Sequence, residues 1–204
     1  MKVVGYAVVT LASALSLLVA PATGQMTLEQ RQADLQQRIR ACTHLSRSEN
    51  SPPVPASRPL ELSSLGVSIE IPENYRAMAR SSEAVSVLTP ESYEYSQCMI
   101  ENRVPSSVDV YSVGLYISEP VSEAMLYEEM AANRRFGVKR VLGTQEVGGR
   151  EALVYIHEGM YTMLVVRINY PDRDASLVIS TDVSDDELPM QETFERVLTS
   201  LRFL

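Results

Sequence analysis

The chain lacks tryptophan and has only two histidines and two cysteines among its 204 residues. Cys42 and His44 are two residues apart, a spacing that could chelate a soft metal, but no second pair completes the four ligands of a structural zinc site. Neither Cys42 nor Cys98 belongs to a C-x-x-C pair, which argues against a redox active site. These shortages exclude the commonest metal and thiol chemistries.

No Gly-x-Ser-x-Gly elbow is present, and His44 and His157 are the only histidine bases available. His157 ends an apolar strand pattern, which favours a strand-edge residue over a catalytic base. We therefore predict no enzyme activity, no catalytic, cofactor-binding or metal-binding residues, and no cofactor.

Basic residues are also scarce, since 18 Lys and Arg face 26 Asp and Glu, for a formal charge of −8. This balance argues against nucleic-acid binding, which needs clustered Lys and Arg, and against electrostatic docking on anionic lipid. The only basic concentration is Arg134-Arg135 with Lys139-Arg140, which we interpret as a solvated helix end.

The first two dozen residues have the pattern of a secretory signal peptide, predicted to span residues 1–24. Lys2 precedes an apolar run from Val3 to Ala20, and the small residues at 20–24 fit a leader protease. The alternative is an uncleaved anchor, since about 20 apolar residues can cross a bilayer. Cleavage removes Lys2, so 18 basic residues become 17 and the charge becomes −9. The mature protein is expected to be periplasmic, lumenal or extracellular, with no integral membrane span.

Two cysteines in an oxidising compartment favour a disulfide between Cys42 and Cys98. Such a bridge closes a loop of about 57 residues, which the chain-entropy model values at roughly 4 kcal/mol. The alternative is two separate buried thiols.

The mature chain divides into three predicted segments. Residues 25–46 form an amphipathic helix that begins with the capping-box pattern Thr27-Leu28-Glu29-Gln30. Residues 47–59 form a proline-rich linker, because proline fixes φ and removes N–H donors. Residues 60–204 form one globular domain.

Within that domain, alternation at 65–71 predicts a strand, and Gly148-Gly149 predicts a tight hairpin. A helix is expected from Ser122 to about Arg135, followed by a strand over 141–147. The final segment is a helix whose apolar stripe is Met190, Phe194, Val197, Leu198 and Leu201. Antiparallel strands with helices inserted late predict an α+β fold, a mostly antiparallel sheet with packed helices preceded by the N-terminal helix.

Three stretches of this domain resemble the PsbP-like family of small exported α/β/α domains: the opening strand and turn at 65–75, the hairpin at 149–155 and the closing helix at 194–203. The resemblance covers roughly residues 60–204 and consists of core and turn patterns. It implies an α/β/α sandwich and a role as an accessory or assembly factor for a membrane complex, in the photosynthetic lumen or at the bacterial envelope.

The functional prediction is a non-catalytic, exported accessory or binding domain with a protein partner and no nucleic acid. Ten tyrosines against three phenylalanines suit a partner surface, because a tyrosine buries area and keeps a hydroxyl for hydrogen bonding. The candidate tyrosines are Tyr93, Tyr95, Tyr111, Tyr116, Tyr155, Tyr161 and Tyr170. Two alternatives stay open: a small-molecule or lipid carrier with a cavity under the terminal helix, and an enzyme with an unrecognised active site.

Overall fold

The computed structural model describes residues 26–45, 51–104, 112–132, 134–183 and 188–204. The helices of these ranges are α1 (Leu28–Cys42), α2 (Pro90–Glu101), α3 (Glu123–Ala131) and α4 (Leu188–Ser200). The strands are β1 (Ser57–Leu62), β2 (Val67–Pro72), β3 (Arg76–Ser81), β4 (Ala84–Leu88), β5 (Ser112–Ser118), β6 (Gly137–Val147), β7 (Arg150–Glu158), β8 (Thr162–Asn169), β9 (Ser176–Asp182) and β10 (Arg202–Phe203).

The strands form two antiparallel sheets. The large sheet has the order β3-β4-β5-β9-β8-β7-β6, and the small sheet has the order β1-β2-β10. Every strand pair in the described residues is antiparallel. The predicted α+β class with a mostly antiparallel sheet and an N-terminal helix is confirmed.

One face of the large sheet, here called the inner face, is sealed by α4 and the small sheet. The predicted apolar stripe of α4 packs on this face, with Met190, Phe194, Val197 and Leu201 at most 3 % exposed. The stripe arises because residues four, seven and eleven positions apart lie on one side of a helix. The inner core also takes one face of β2 and alternate residues of β4, β5, β8 and β9.

The hairpin between β6 and β7 turns on Gly148 and Gly149, as the sequence predicts. Both residues have positive φ, +59° and +76°, and they join Val147 to its register partner Arg150. Gly148 has a second reason to be glycine, since an added Cβ would lie 3.1 Å from the Leu201 side chain. The turn therefore lies directly against the end of α4.

The N-terminal helix begins with the capping box that its sequence predicts. The Gln30 backbone N–H donates to Thr27 Oγ1 at 3.2 Å, and the Thr27 N–H donates to Gln30 Oε1 at 2.9 Å. The helix packs on α2, to which a Cys42–Cys98 disulfide joins it. Residues 1–24, predicted as the leader, lie outside the described residues. Among the described helices, none has the length and apolar content to cross a membrane.

Several elements depart from the sequence prediction. Helix α3 ends at Ala131 and not near Arg135, and β6 begins at Gly137 instead of 141. Gly137 has φ +137°, a conformation that favours glycine, so the chain can turn there from helix to strand. The strand predicted at 65–71 corresponds to β2, which begins later, at Val67. The prediction did not include β1, β3, β10 or α2, although Thr89 and Pro90 supply the cap and first residue of α2.

The extended segment before β1 is held on the domain by side chains. Asn74 Oδ1 accepts the Val54 N–H at 3.1 Å, and Arg196 Nη1 of α4 donates to the Val54 carbonyl at 2.9 Å. The Tyr75 hydroxyl, on a fully buried ring, donates to the Ser51 carbonyl at 3.3 Å. Residues 51–56 thus follow the surface of the domain up to the start of β1 at Ser57.

Stacked arginines and aromatic rings join the small sheet to the large one. The Arg150 guanidinium carbon lies 3.6 Å from the Phe203 ring centroid, and that of Arg173 lies 3.7 Å from the Tyr170 centroid. The two rings meet edge to face at 5.6 Å. Arg173 Nη2 and the Tyr170 hydroxyl both donate to the Leu65 carbonyl. These contacts are structural, since they connect β7, β8 and β10 with the turn before β2.

We predict that Phe194→Ala lowers the free energy of unfolding by about 3–5 kcal/mol, because it leaves a cavity under α4. Urea unfolding measures the loss. The control is Ile100→Ala on α2, whose side chain is 55 % exposed and whose removal should change stability by no more than about 0.5 kcal/mol. Equal losses in the two variants would contradict the packing of α4.

We predict that alkylation of the purified protein without reductant labels neither cysteine. We also expect the double substitution Cys42→Ser with Cys98→Ser to lower the free energy of unfolding by about 4 kcal/mol, because it frees a long loop of the unfolded chain. Denaturant titration of the oxidised protein and the double variant measures the difference. Labelling of both cysteines in the native protein would contradict the bridge.

Candidate binding surface

The residues considered for catalysis or metal binding do not converge in the structure. His157 lies on β7 in register with Val138 and Met163, and His44 lies in the turn after α1. The sulfur of Cys42 is bonded to Cys98, which removes it from any metal site with His44. The part of the chain that the structure describes contains no group of three or more His, Cys, Asp or Glu residues able to hold a metal ion.

The outer face of the large sheet, opposite α4, is covered by α3 from β6 to Val178 of β9. Leu126 of α3 is 2 % exposed and packs with Val138, Tyr155, Val165 and Val178. The helix is placed there by its ends, since Ser122 Oγ accepts the Met125 N–H at 3.2 Å and Asn169 Nδ2 donates to the Val121 carbonyl at 3.3 Å. Helix α3 does not extend over β4 and β5, which lie beyond β9 in the sheet order.

A row of small residues crosses the outer face over β4, β5 and β9. Ser86, Gly114 and Ser180 are register partners on these three adjacent strands. A Cβ at Gly114 would lie 3.3 Å from Ser180 Oγ, so glycine is needed here for close approach. We call this row and the neighbouring Tyr116 the outer trough, which is defined by Ser86, Gly114, Ser180 and Tyr116.

Two arginines lie on the same face of the sheet as the outer trough. On β3, Arg80 Nε donates to Ser86 Oγ at 3.1 Å, and burial lowers the pKa of this guanidinium. On β8, Arg167 belongs to the neighbouring cross-strand row, which it shares with Tyr116 and the buried Val178. Arg167 Nη1 donates to the Glu119 carbonyl, while its Nε is buried with no hydrogen-bond partner among the described residues. The two arginines are four strands apart, roughly 19 Å at the usual strand spacing.

Tyr116 is the exposed aromatic residue of the trough, with 37 % of its surface accessible. Burial of the rest of the ring on the sheet raises its pKa; neighbouring Tyr155 raises it further and Arg167 lowers it. The phenol is therefore neutral at physiological pH, when its hydroxyl can donate a hydrogen bond.

A second tyrosine approaches from α3. Glu129 reaches toward β6, where its Oε1 accepts the Val138 N–H at 3.3 Å. Tyr127 lies about 100° around the helix from Leu126, on the side away from Glu129. It is 47 % exposed. Both β5 and α3 thus carry an exposed tyrosine.

The residues of the outer trough and its two arginines present guanidinium, phenol and serine hydroxyl groups, and none of them is a carboxylate. Such a surface suits carboxylates and backbone carbonyls, which arginine binds with charge-assisted hydrogen bonds. An extended segment of about six residues spans the roughly 19 Å between the arginines.

The candidate tyrosines differ in how far they are exposed to solvent. Tyr95 and Tyr155 are buried, Tyr93, Tyr161 and Tyr170 are partly buried, and Tyr116 is exposed. Tyr111 lies outside the described residues.

No local sequence pattern marks Arg80, Arg167, Ser180 or Tyr127 as surface candidates. Alternation within β5 does place Gly114 and Tyr116 on the face opposite Val113 and Leu115. The arginines lie on other strands, and only the sheet order brings them to the same face.

No family model matches the sequence, and no curated protein matches it. The chain is similar in structure to the PsbP protein of the cyanobacterium Synechocystis sp. PCC 6803, with 11 % identity, 77 % of this chain and 98 % of that chain covered, and a TM-score of 0.45. It is also similar to the Ran-binding protein Mog1p of Saccharomyces cerevisiae, with 11 % identity, coverage of 72 % and 95 %, and a TM-score of 0.42.

A further similar structure is LpqN of Mycobacterium tuberculosis, a protein involved in cell envelope biogenesis. The identity is 13 %, the coverage is 78 % of this chain and 94 % of that chain, and the TM-score is 0.39. These likenesses concern the fold alone. The resemblance to PsbP predicted from the sequence is present at the level of architecture.

We predict that Tyr116→Phe lowers by one the number of tyrosine phenols that ionise above pH 10 in the native protein. The folded-state pKa is raised, so the associated stability is complete below pH 10 and is lost as the pH rises through the higher folded value. Ultraviolet titration of tyrosinate compares the variant with the native protein, and both are repeated in denaturant, where phenols ionise near pH 10. An unchanged native titration above pH 10 would contradict the packing of Tyr116.

Proposed function

We propose that this protein is an exported, non-catalytic binding domain whose outer trough takes an extended acidic segment of a protein partner. The observation that carries the proposal is the placement of Arg80, Arg167 and the small residues Ser86, Gly114 and Ser180 on one face of the large sheet. Export is supported by the leader pattern at residues 1–24 and by the disulfide, which persists in oxidising compartments.

Electrostatics favours an acidic segment over a basic one at this surface. The whole chain is acidic, so a basic partner would be attracted to most of its surface without preference for the trough. An acidic segment gains favourable binding free energy only where it contacts guanidinium groups. The small residues between the arginines allow its backbone to approach the sheet closely.

The carrier alternative requires space between the terminal helix and the sheet. There, the four stripe residues of α4 pack in the inner core and are at most 3 % exposed. This packing favours binding at the surface over storage of a ligand inside the domain.

The N-terminal helix is a second contact element in this proposal. Its C-terminal part docks on α2 through Leu35, Ile39 and Cys42, whereas Leu28 at its start is 73 % exposed. The exposed start of α1 at Leu28 can therefore add to a contact that the domain makes with a partner. The same arrangement is compatible with assistance to a membrane complex at the envelope or in the thylakoid lumen.

We predict that a photoreactive benzoylphenylalanine in place of Tyr116 crosslinks to one protein partner in the native cells. Substitution of Arg80→Gln with Arg167→Gln should reduce the crosslinked yield about tenfold or more, because each charged hydrogen bond contributes about 1.5–3 kcal/mol. Mass spectrometry of the crosslinked peptide tests whether its sequence is acidic.

The control places the same photoreactive residue at Ile100, an exposed position on α2. Identical crosslinks from both positions, or a yield insensitive to the arginine substitutions, would contradict the proposal. Loss of turnover on a substrate after Tyr116 or His157 is changed would favour the enzyme alternative.

A further inference from the structure

Two large apolar side chains protrude at one end of the large sheet, away from the outer trough. Phe136 immediately precedes β6, and Met160 lies in the turn between β7 and β8. Gly137 and Glu158 are register partners, which places both side chains at the same corner. Phe136 is 53 % exposed and Met160 is 76 % exposed.

Two arginines precede Phe136 at this corner. Arg134 and Arg135 are exposed, and the Arg135 guanidinium carbon lies 5.3 Å from the Phe136 ring centroid. Neither arginine has an ion-pair partner in the described ranges. We call Arg134, Arg135, Phe136 and Met160 the β6 corner. The basic residues that the sequence suggested to be a solvated helix end therefore lie beyond the helix, beside exposed apolar groups.

The carboxylates of Glu158 and Glu129 lie beside this corner. Glu158 pairs with Lys139 at 3.3 Å, whereas Glu129 accepts the Val138 N–H and keeps its negative charge. Asp182 lies at the end of β9, three strands from β6, roughly 14 Å at the usual spacing. This distance exceeds the Debye length of about 8 Å at physiological ionic strength. Arg134 and Arg135 thus place two exposed positive charges at the corner, although the whole chain is negative.

From this combination we infer that the β6 corner docks on the surface of a membrane that contains anionic lipid. Phe136 and Met160 would enter the boundary between headgroups and acyl chains, and Arg134 and Arg135 would bind lipid phosphates, as in interfacial helices with apolar and basic faces. A protein partner fits this corner less well. The two apolar side chains bury at most roughly 400 Å², whereas a stable protein interface buries about 1,000 Å² or more.

This inference is independent of the outer trough, and it adds a second surface to the proposed binding domain. When the corner lies on the membrane, the anionic lipids attract Arg134 and Arg135. The same lipids repel the acidic remainder of the chain. Docking would therefore be weak, reversible and sensitive to salt.

The test is vesicle flotation of the exported protein, purified after secretion and with its N-terminus determined by mass spectrometry. The vesicles are phosphatidylcholine alone or phosphatidylcholine mixed with phosphatidylglycerol. We expect flotation with the mixed vesicles only, and less of it as salt increases. Arg134→Gln with Arg135→Gln should weaken the binding roughly thirtyfold, and Phe136→Ser with Met160→Ser should abolish it.

Matched controls are Ile100→Ser, an exposed apolar residue on α2, and Arg31→Gln, an exposed arginine on α1. Both should bind as the native protein does, and circular dichroism verifies that every variant is folded. All variants share one N-terminus, so a retained leader cannot cause differences between them. The inference is overturned if the native protein does not float, if the corner variants float equally well, or if the corner instead retains an acidic protein and no vesicles.

Discussion

The packing of α4 on the inner face is the interaction on which the rest of the structure depends. Phe194, Val197 and Leu201 contact a core that is shared by β2 of the small sheet and the central strands of the large sheet. The chain then continues into β10, which pairs with β2 through Arg202 and Phe203. Helix α4 and strand β10 thus pack on and pair with β2, an early strand of the domain. Without α4, neither sheet has a complete core.

Closure of the inner face determines where binding can occur. The side chains of α4 and the small sheet occupy one side of the large sheet, so ligand contacts fall on the outer face and at the sheet ends. Helix α3 covers the outer face from β6 to Val178 of β9, and the row at Ser86, Gly114 and Ser180 crosses the sheet beside that cover. The same helix, by ending at Ala131, leaves Arg134 and Arg135 beside Phe136 and not on a solvated helical turn. The extent of α3 therefore sets one boundary of each proposed surface.

The elements predicted well from the sequence are those whose signals are local. The capping box at Thr27, the glycine pair at 148–149 and the stripe of α4 each lie within a dozen residues, and each forms as expected. Strand β3 lacks this kind of signal, because only Met78 of its six residues is buried. Helix α2 has a local start signal in Thr89 and Pro90, but the sequence prediction does not include it.

The outer trough needs information that the sequence does not contain in any local window. Arg80 and Arg167 are far apart in the chain and come to one face only through the order of the sheet. Which side of β5 is covered depends in turn on the placement of α3. The most direct measurement is hydrogen exchange of the protein, free and bound to the partner purified from the native cells. The account predicts slower exchange in β4, β5 and their edges on binding; slower exchange confined to α4 and the small sheet would contradict it.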